Sequence, residues 1–219
     1  MPARSTDRSP AVTLYFAPRS RASRALWLLE ELGIAYELHV IDLSPNDQKD
    51  AEILALNPMG KVPIVTIDGY PIWESAAITA HLCDVFPEAG LAPRLATSAR
   101  ADYYRWLSFG TAVMEPAFMD LMKKTEVDPA QAGWGDFASV KHALGVGLAR
   151  GPWLLGDQFS GADIITGGAL DYFTMWASDH FADIPGLGAY LKRLRARPAL
   201  LRAREIDQEV HDRLQKAGT

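Results

Sequence analysis

A chain of 219 residues, 48% of them apolar, is long enough for a substantial core and allows one or two domains. Its formal charge of −5, from 22 Lys and Arg against 27 Asp and Glu, gives no electrostatic footprint for nucleic acid. No apolar run approaches the roughly 18–20 residues of a membrane helix, and the five histidines are too scattered for a zinc pattern. The expectation is a protein that binds no nucleic acid, does not cross a membrane and holds no metal.

Residues 1–11 carry Arg4, Asp7 and Arg8 without the apolar segment of a signal peptide, and read as a flexible tail. The single cysteine, Cys83, has no partner for an intramolecular disulfide, which fits a reducing compartment, and a cytoplasmic location is expected. Val12–Phe16 predicts a strand ended by Ala17-Pro18, and Ser20–Leu32 shows helical spacing up to a stop at Gly33. Ile34–Leu43 predicts a second strand, parallel to the first because a helix crosses between them. Ser44–Asp47 starts a short helix running to about Leu56. Val62-Pro63 heads the β-branched run Ile64–Ile67, Asp68-Gly69 signals a hairpin into Tyr70–Trp73, and Glu74-Ser75 opens a helix. With Ile78 and Leu82 nearby, Cys83 reads as a buried apolar residue of that helix. The order βαβ, α, ββα makes residues 12–86 an α/β sandwich.

Phe86–Pro93, with two prolines and a glycine, has the composition of a linker, placed at 87–96. From 97 to 219 helical periodicity dominates, broken at Asp128-Pro129, Gly151-Pro152, Pro185-Gly186 and Pro198, so the second domain is expected to be all-helical. Ser160 and Asp163 stand at capping-box spacing before an apolar run, a structural role. Lys192, Arg193, Arg195, Arg197, Arg202 and Arg204 read as solvated helix faces. Two glycine motifs fail: Gly60-Lys61 has Ala55 and Val62 where a phosphate loop needs Gly and Ser/Thr, and Gly145-Val146-Gly147 is followed by Arg150 where a dinucleotide fingerprint needs its third glycine.

The stretch Asn57–Ser75 carries the most chemistry. A proline at the head of a strand leaves the backbone of Val62 available to an extended peptide, and the helix N-terminus at Ser75 suits a carboxylate. Asn57-Pro58-x-Gly60-Lys61-Val62-Pro63 followed by Glu74-Ser75-x-Ala77-Ile78 resembles the glutathione-site signature of the cytosolic glutathione S-transferases. The resemblance spans roughly Val12 to Leu201 and implies a thioredoxin-like first domain plus a helical second one. It implies that Pro63 is cis, that Val62 pairs with the cysteinyl backbone of glutathione, and that Glu74 and Ser75 hold its γ-glutamyl end. It also implies that Gln48 or Lys49 meets the glycyl carboxylate, with Lys61 reaching the same end. Ser160 and Asp163 resemble the cap of the core helix in the family's second domain.

Glutathione chemistry needs a thiolate, while a thiol of pKa near 8.5 is mostly protonated at neutral pH. A hydroxyl donor and the positive end of a helix each stabilise the anion. The loop after the first strand offers three hydroxyls. Ser20, followed by Ser23-Arg24-Ala25, resembles the theta-like serine enzymes; Tyr15-Phe16-x-x-Arg19-x-Arg21 resembles the tyrosine-type alpha, mu, pi and sigma enzymes; Ser23 is the third. Ser20 is favoured as catalytic, with Tyr15 as the alternative, although a Ser at that place also suits an ordinary helix cap and a strand Tyr an ordinary core. Arg19 or Arg21 would add positive potential or sit in solvent.

The expected function is therefore a glutathione transferase: glutathione is the co-substrate, and its thiolate attacks, or reduces, a small hydrophobic electrophile or peroxide. The electrophile is expected against Tyr103, Trp106 and Met114 of the helical domain. No cysteine lies in the loop, which argues against a protein mixed disulfide, and the Ser-Ser-Cys motif of maleylacetoacetate isomerases is missing. The rival is a transferase-like binding or scaffold protein without catalysis. The resemblance also implies a homodimer.

Overall fold

The computed structural model describes residues 9–42 and 51–217. Most of the expected tail, the end of the second predicted strand and the start of the short helix, with Gln48 and Lys49, lie outside the described residues.

Strand β1 (Val12–Phe16) alternates, with Val12, Leu14 and Phe16 buried against helices and Thr13 and Tyr15 turned to the other face. Helix α1 (Ala22–Leu32) stops at Gly33, whose φ of +64° lets its N–H reach the carbonyls of Leu29 (3.1 Å) and Glu30 (3.3 Å). Strand β2 covers only Glu37–Val40, shorter than the predicted run, because Ile34–Tyr36 form the connection from α1. The described part of the short helix is α2 (Ala51–Leu56). Then come β3 (Ile64–Ile67), β4 (Tyr70–Trp73) and α3 (Ser75–Val85). Asp68 and Gly69 both have positive φ, +49° and +82°, which closes the two-residue hairpin.

The sheet order is β2-β1-β3-β4, with β2 parallel to β1 and the other neighbours antiparallel. Strand β3 is buried along its whole length because it is central and covered on both faces. One face joins the main core with α1 and α3; the other holds a small cluster of Ile41, Ile53 and Ile64, with Tyr15, Leu56 and Val62 packed on it.

In the second half, α4 (Ser98–Ser108) is capped by Thr97, whose Oγ1 accepts from the Arg100 N–H at 3.2 Å. It passes through a π-helical turn, Phe109–Met114, into α5 (Glu115–Lys123). Helix α6 spans Phe137–Leu148; a second π-helical turn, Asp163–Gly167, leads into α7 (Gly168–Thr174); α8 is Leu187–Arg195 and α9 Pro198–Ala217. The two π-helical turns face one another. A Cβ on Gly110 would lie 2.6 Å from Thr166 Oγ1, and that hydroxyl donates to the Trp106 carbonyl at 2.7 Å. The helical expectation misses one detail: isolated β-bridges Trp153–Gly156 and Leu155–Gln158, formed around Gly156 at φ +85°.

The capping-box reading of Ser160 and Asp163 is realised. The buried Asp163 carboxylate accepts from the N–H groups of Ser160 and Leu154 and from the Tyr190 hydroxyl, each at 3.0 Å. Burial pushes its carboxyl up to about 6. Gly161 next to it permits close approach of the halves: a Cβ there would lie 2.5 Å from Thr79 Cγ2 of α3 and 2.9 Å from the Tyr103 hydroxyl.

Lys192 and Arg202 stay exposed as expected, but Arg193, Arg195, Arg197 and Arg204 correct the expectation of plain solvated faces. Arg197 forks onto Glu31 of α1 (2.6 and 2.7 Å) and lies 3.4 Å above the Phe159 ring. Arg195 (2.6 Å) and Arg204 both bind the buried Asp171 carboxylate. Arg193 donates to the Pro152 carbonyl. They fasten α8 and α9 to the rest of the molecule.

Candidate active site

Strand register brings three separate segments to one end of the sheet. Ile64 pairs with Trp73, so Pro63 and Glu74 sit together just beyond the open end of the β3–β4 hairpin. Tyr15 pairs with Ile64, so the chain leaving β1 at Ala17 passes the same end. The β1–α1 loop, Val62-Pro63 and the start of α3 therefore converge.

The Val62-Pro63 bond is cis, as the resemblance implies. Val62 lies outside the β1–β3 ladder, whose register begins at Ile64. Asn57, whose role sequence reasoning missed, shapes the approach to it. Its buried side chain donates to the Lys61 carbonyl (2.8 Å) and accepts from the Met59 N–H (3.0 Å), while Gly60 at φ +62° donates to the Asn57 carbonyl (2.8 Å). Lys61 itself is exposed. Glu74 is exposed with φ +72° and ψ +116°, a conformation that costs a non-glycine residue about 1–3 kcal/mol. That turn directs the first amides of α3, beginning at the buried Ser75, toward the sheet end.

At the β1–α1 loop Ser20 closes the turn that leads into α1, one residue before the N-cap Arg21. Its Oγ accepts from the Ala22 N–H (3.0 Å) and its hydroxyl donates to the Ala17 carbonyl (2.7 Å). A hydroxyl has one proton, so donating to a thiolate requires Ser20 to give up Ala17. Ser23 donates to Asp207 of α9. Tyr15 is not brought to the helix start: it lies on the α2 face, 4.7 Å from the His39 ring centroid, and burial together with the Glu52 charge raises its phenol. The alternation of β1 explains this, since a residue flanked by inward Leu14 and Phe16 must face away from α1.

Neither loop arginine stands alone in solvent. Arg19, at φ +55°, donates its N–H to the Asp207 carboxylate (3.1 Å) and its guanidinium to Gln208 (3.1 Å). Arg21 (2.6 Å) and the buried Arg24 (2.8 Å) both bind the buried Glu115 carboxylate at the start of α5, and Arg24 also donates to the Ile165 carbonyl (3.2 Å). Desolvation lowers the Arg24 pKa from its usual value, against the pull of Glu115.

The structure corrects the electrophile residues. Tyr103, Trp106 and Met114 are 0%, 6% and 0% exposed, filling the helical core rather than lining an opening. Helical periodicity alone does not say which face of α4 points inward. One group of exposed apolar side chains lies at the C-terminal end of α7 and just beyond it: Tyr172, Met175 and Trp176, at 53%, 60% and 50%. Gly168, one turn before Tyr172, packs against Arg24 and Trp27, and Trp176 contacts Phe118, one turn after Glu115, at 5.4 Å. Helix α7 thus meets α1 at Gly168, and Trp176 beyond its end meets α5. Cys83 is buried, as the sequence suggests, and burial pushes its thiol up to about 11.

Among the described residues no helix is long and apolar enough to cross a membrane. Residues 10–84 match the family model of the glutathione S-transferase N-terminal domain and residues 133–198 that of the C-terminal domain. Glutathione S-transferase GST-4.5 of Xanthomonas campestris is 30% identical, over 71% of this chain and 78% of its own. The disulfide-bond oxidoreductase YfcG of Escherichia coli is 27% identical, over 86% of this chain and 92% of its own. A sphingomonad glutathione S-transferase solved in complex with glutathione is 30% identical with a TM-score of 0.70, covering 90% of this chain and 98% of that one. A thioredoxin-like half, a helical half and these matches to both establish that the chain belongs to the glutathione S-transferase family.

Proposed function

We propose that the protein is a glutathione transferase, which binds glutathione at the sheet end and lets its thiolate attack, or reduce, a small hydrophobic electrophile. The observation that carries this reading is the convergence of cis Val62-Pro63, the positive-φ Glu74 at the start of α3, and Ser20 bonded to the first amide of α1. Val62 offers its backbone to the cysteinyl unit, and Glu74, Ser75 and the free α3 amides take the γ-glutamyl end. Gln48, Lys49 and Lys61 remain assigned to the glycyl carboxylate. Ser20 turns its proton from Ala17 to the sulfur, aided by the α1 dipole. Tyr172, Met175 and Trp176 replace the buried trio as the wall against which the electrophile rests.

A second reaction at the same thiolate, disulfide reduction, is favoured by the YfcG likeness. Because Cys83 is buried with a raised pKa, such exchange would run through glutathione itself. The exposed Tyr70 and Trp73 of β4, with Leu95 and Tyr104 of the second half, support pairing with a second copy of the chain. The lone buried cysteine supports a cytoplasmic setting.

The test is turnover of a panel of electrophiles, peroxides and disulfides by the wild type, Ser20→Ala and Tyr15→Phe. Ser20→Ala is expected to lose the most. Equal turnover in all three removes the Ser20 assignment, and glutathione binding without any turnover favours the scaffold reading instead.

A further inference from the structure

We infer that Asp207 of α9 is a positioning residue that braces the thiolate loop from outside while its charge limits how far the glutathione thiol is acidified. This rests on the reading that glutathione binds beside Ser20. The brace reaches across most of the chain: both Asp207 oxygens approach the Arg19 N–H (3.1 and 3.3 Å), the Ser23 hydroxyl donates to the same carboxylate, and neighbouring Gln208 accepts from the Arg19 guanidinium (3.1 Å). Helix α9 aims these groups by burying Leu200, Ala203 and Val210 and by clasping Asp171 through Arg204. Arg19 holds a left-handed conformation, which a non-glycine residue keeps only where its surroundings hold it there. Ser23 commits its proton to a carboxylate and Ser20 commits its proton to the neutral Ala17 carbonyl, so Ser20 is the serine of this turn whose proton a thiolate can claim from the weaker acceptor.

The charge balance gives the second half of the inference. Around the loop stand Arg19, Arg21 and Arg24, with Glu115 from α5, Asp207 from α9 and Asp171 from α7. Glu115 lies between two guanidiniums, and Asp171 is bound by Arg195 and Arg204. The groups bonded to Asp207 are an amide and a hydroxyl, both neutral, and the Arg19 guanidinium donates to Gln208 beside it, so the Asp207 charge, offset only in part by Arg19, opposes a second anion at the start of α1. Tyr15, His39 and Glu52 lie on the other face of the sheet.

Titration of the ultraviolet thiolate absorbance of bound glutathione separates the two roles. Asp207→Asn keeps the shape and removes the charge; it is expected to raise the thiolate-to-thiol ratio about three- to tenfold at a given pH. Asp207→Ala is expected to add a rise of at least about threefold in KM for glutathione and about tenfold faster hydrogen exchange at the Arg19 amide. An Asp207→Asn titration superimposable on the wild type overturns the electrostatic role. Unchanged KM and exchange in Asp207→Ala overturn the brace. A wild type with no bound thiolate signal defeats the glutathione reading instead, and the exchange measurement still decides whether Asp207 orders the loop.

Discussion

At the sheet end the candidate site is made of backbone: a cis Val62-Pro63 bond, Gly60 and Glu74 at positive φ, and the opening amides of α3. On the flank of α1 it is made of charged side chains that reach it from far along the chain, Glu115 from α5 and Asp207 from α9. The first kind of construction is local, fixed by turns and strand register, and tolerates changes in most side chains. The second depends on single carboxylates whose loss strands a cation or a loop, so mutations should separate the two regions sharply.

The largest effect is expected at Glu115. Glu115→Ala leaves the buried Arg24 without its counter-charge and should cost about 3–5 kcal/mol in denaturant-measured stability. A loss below about 1 kcal/mol would mean the flank is not held by this pair. Next comes Asp163. Its carboxyl titrates near 6 in the fold against 3.8 ordinarily, so the folded state binds the proton more tightly than the unfolded chain. Its contribution to stability is therefore complete below about pH 4 and is lost as the pH rises through about 6, amounting to roughly 2–3 kcal/mol. Unfolding of wild type and Asp163→Asn between these limits should show the wild type losing ground to the variant as pH rises; parallel curves would contradict the raised value.

At the sheet end, Ser20→Ala should lower kcat/KM about 10- to 100-fold, the loss of one to two units of thiol acidification. Tyr15→Phe, on the far face, should cost less than that. The smallest change is expected at Trp176: Trp176→Ala should raise KM for the electrophile a few-fold, with little change in KM for glutathione or in stability, because the ring is half exposed. Equal effects on both substrates would place the electrophile elsewhere.

What could be read from sequence follows the same division. The hairpin at Asp68-Gly69, the stop at Gly33 and the Ser160–Asp163 box are each encoded within a few residues and were legible, whereas the cis bond at Val62-Pro63 followed only from the family resemblance. Ser20 was legible as a hydroxyl at a helix start, but not its attachment to Ala17. Tyr103, Trp106 and Met114 misled because an aromatic-rich helix looks the same whether its rings line a cleft or fill a core. Asp207, Glu115 and Arg197 gave no signal of their partners, since those partners lie 90 or more residues away, and a charged residue reads as solvated until a fold brings its counterpart to it.

Gly161 and Gly168 have a consequence for anyone building chimeras of this protein. The missing Cβ at Gly161 makes room for Thr79 and Tyr103, and the one at Gly168 for Arg24 and Trp27. Thr79, Arg24 and Trp27 belong to the first half of the chain and the glycines to the second. A graft that exchanges one half for a relative's inherits these contacts unmatched unless both sides travel together, so the natural unit of recombination is the whole chain, even though the family models divide it in two.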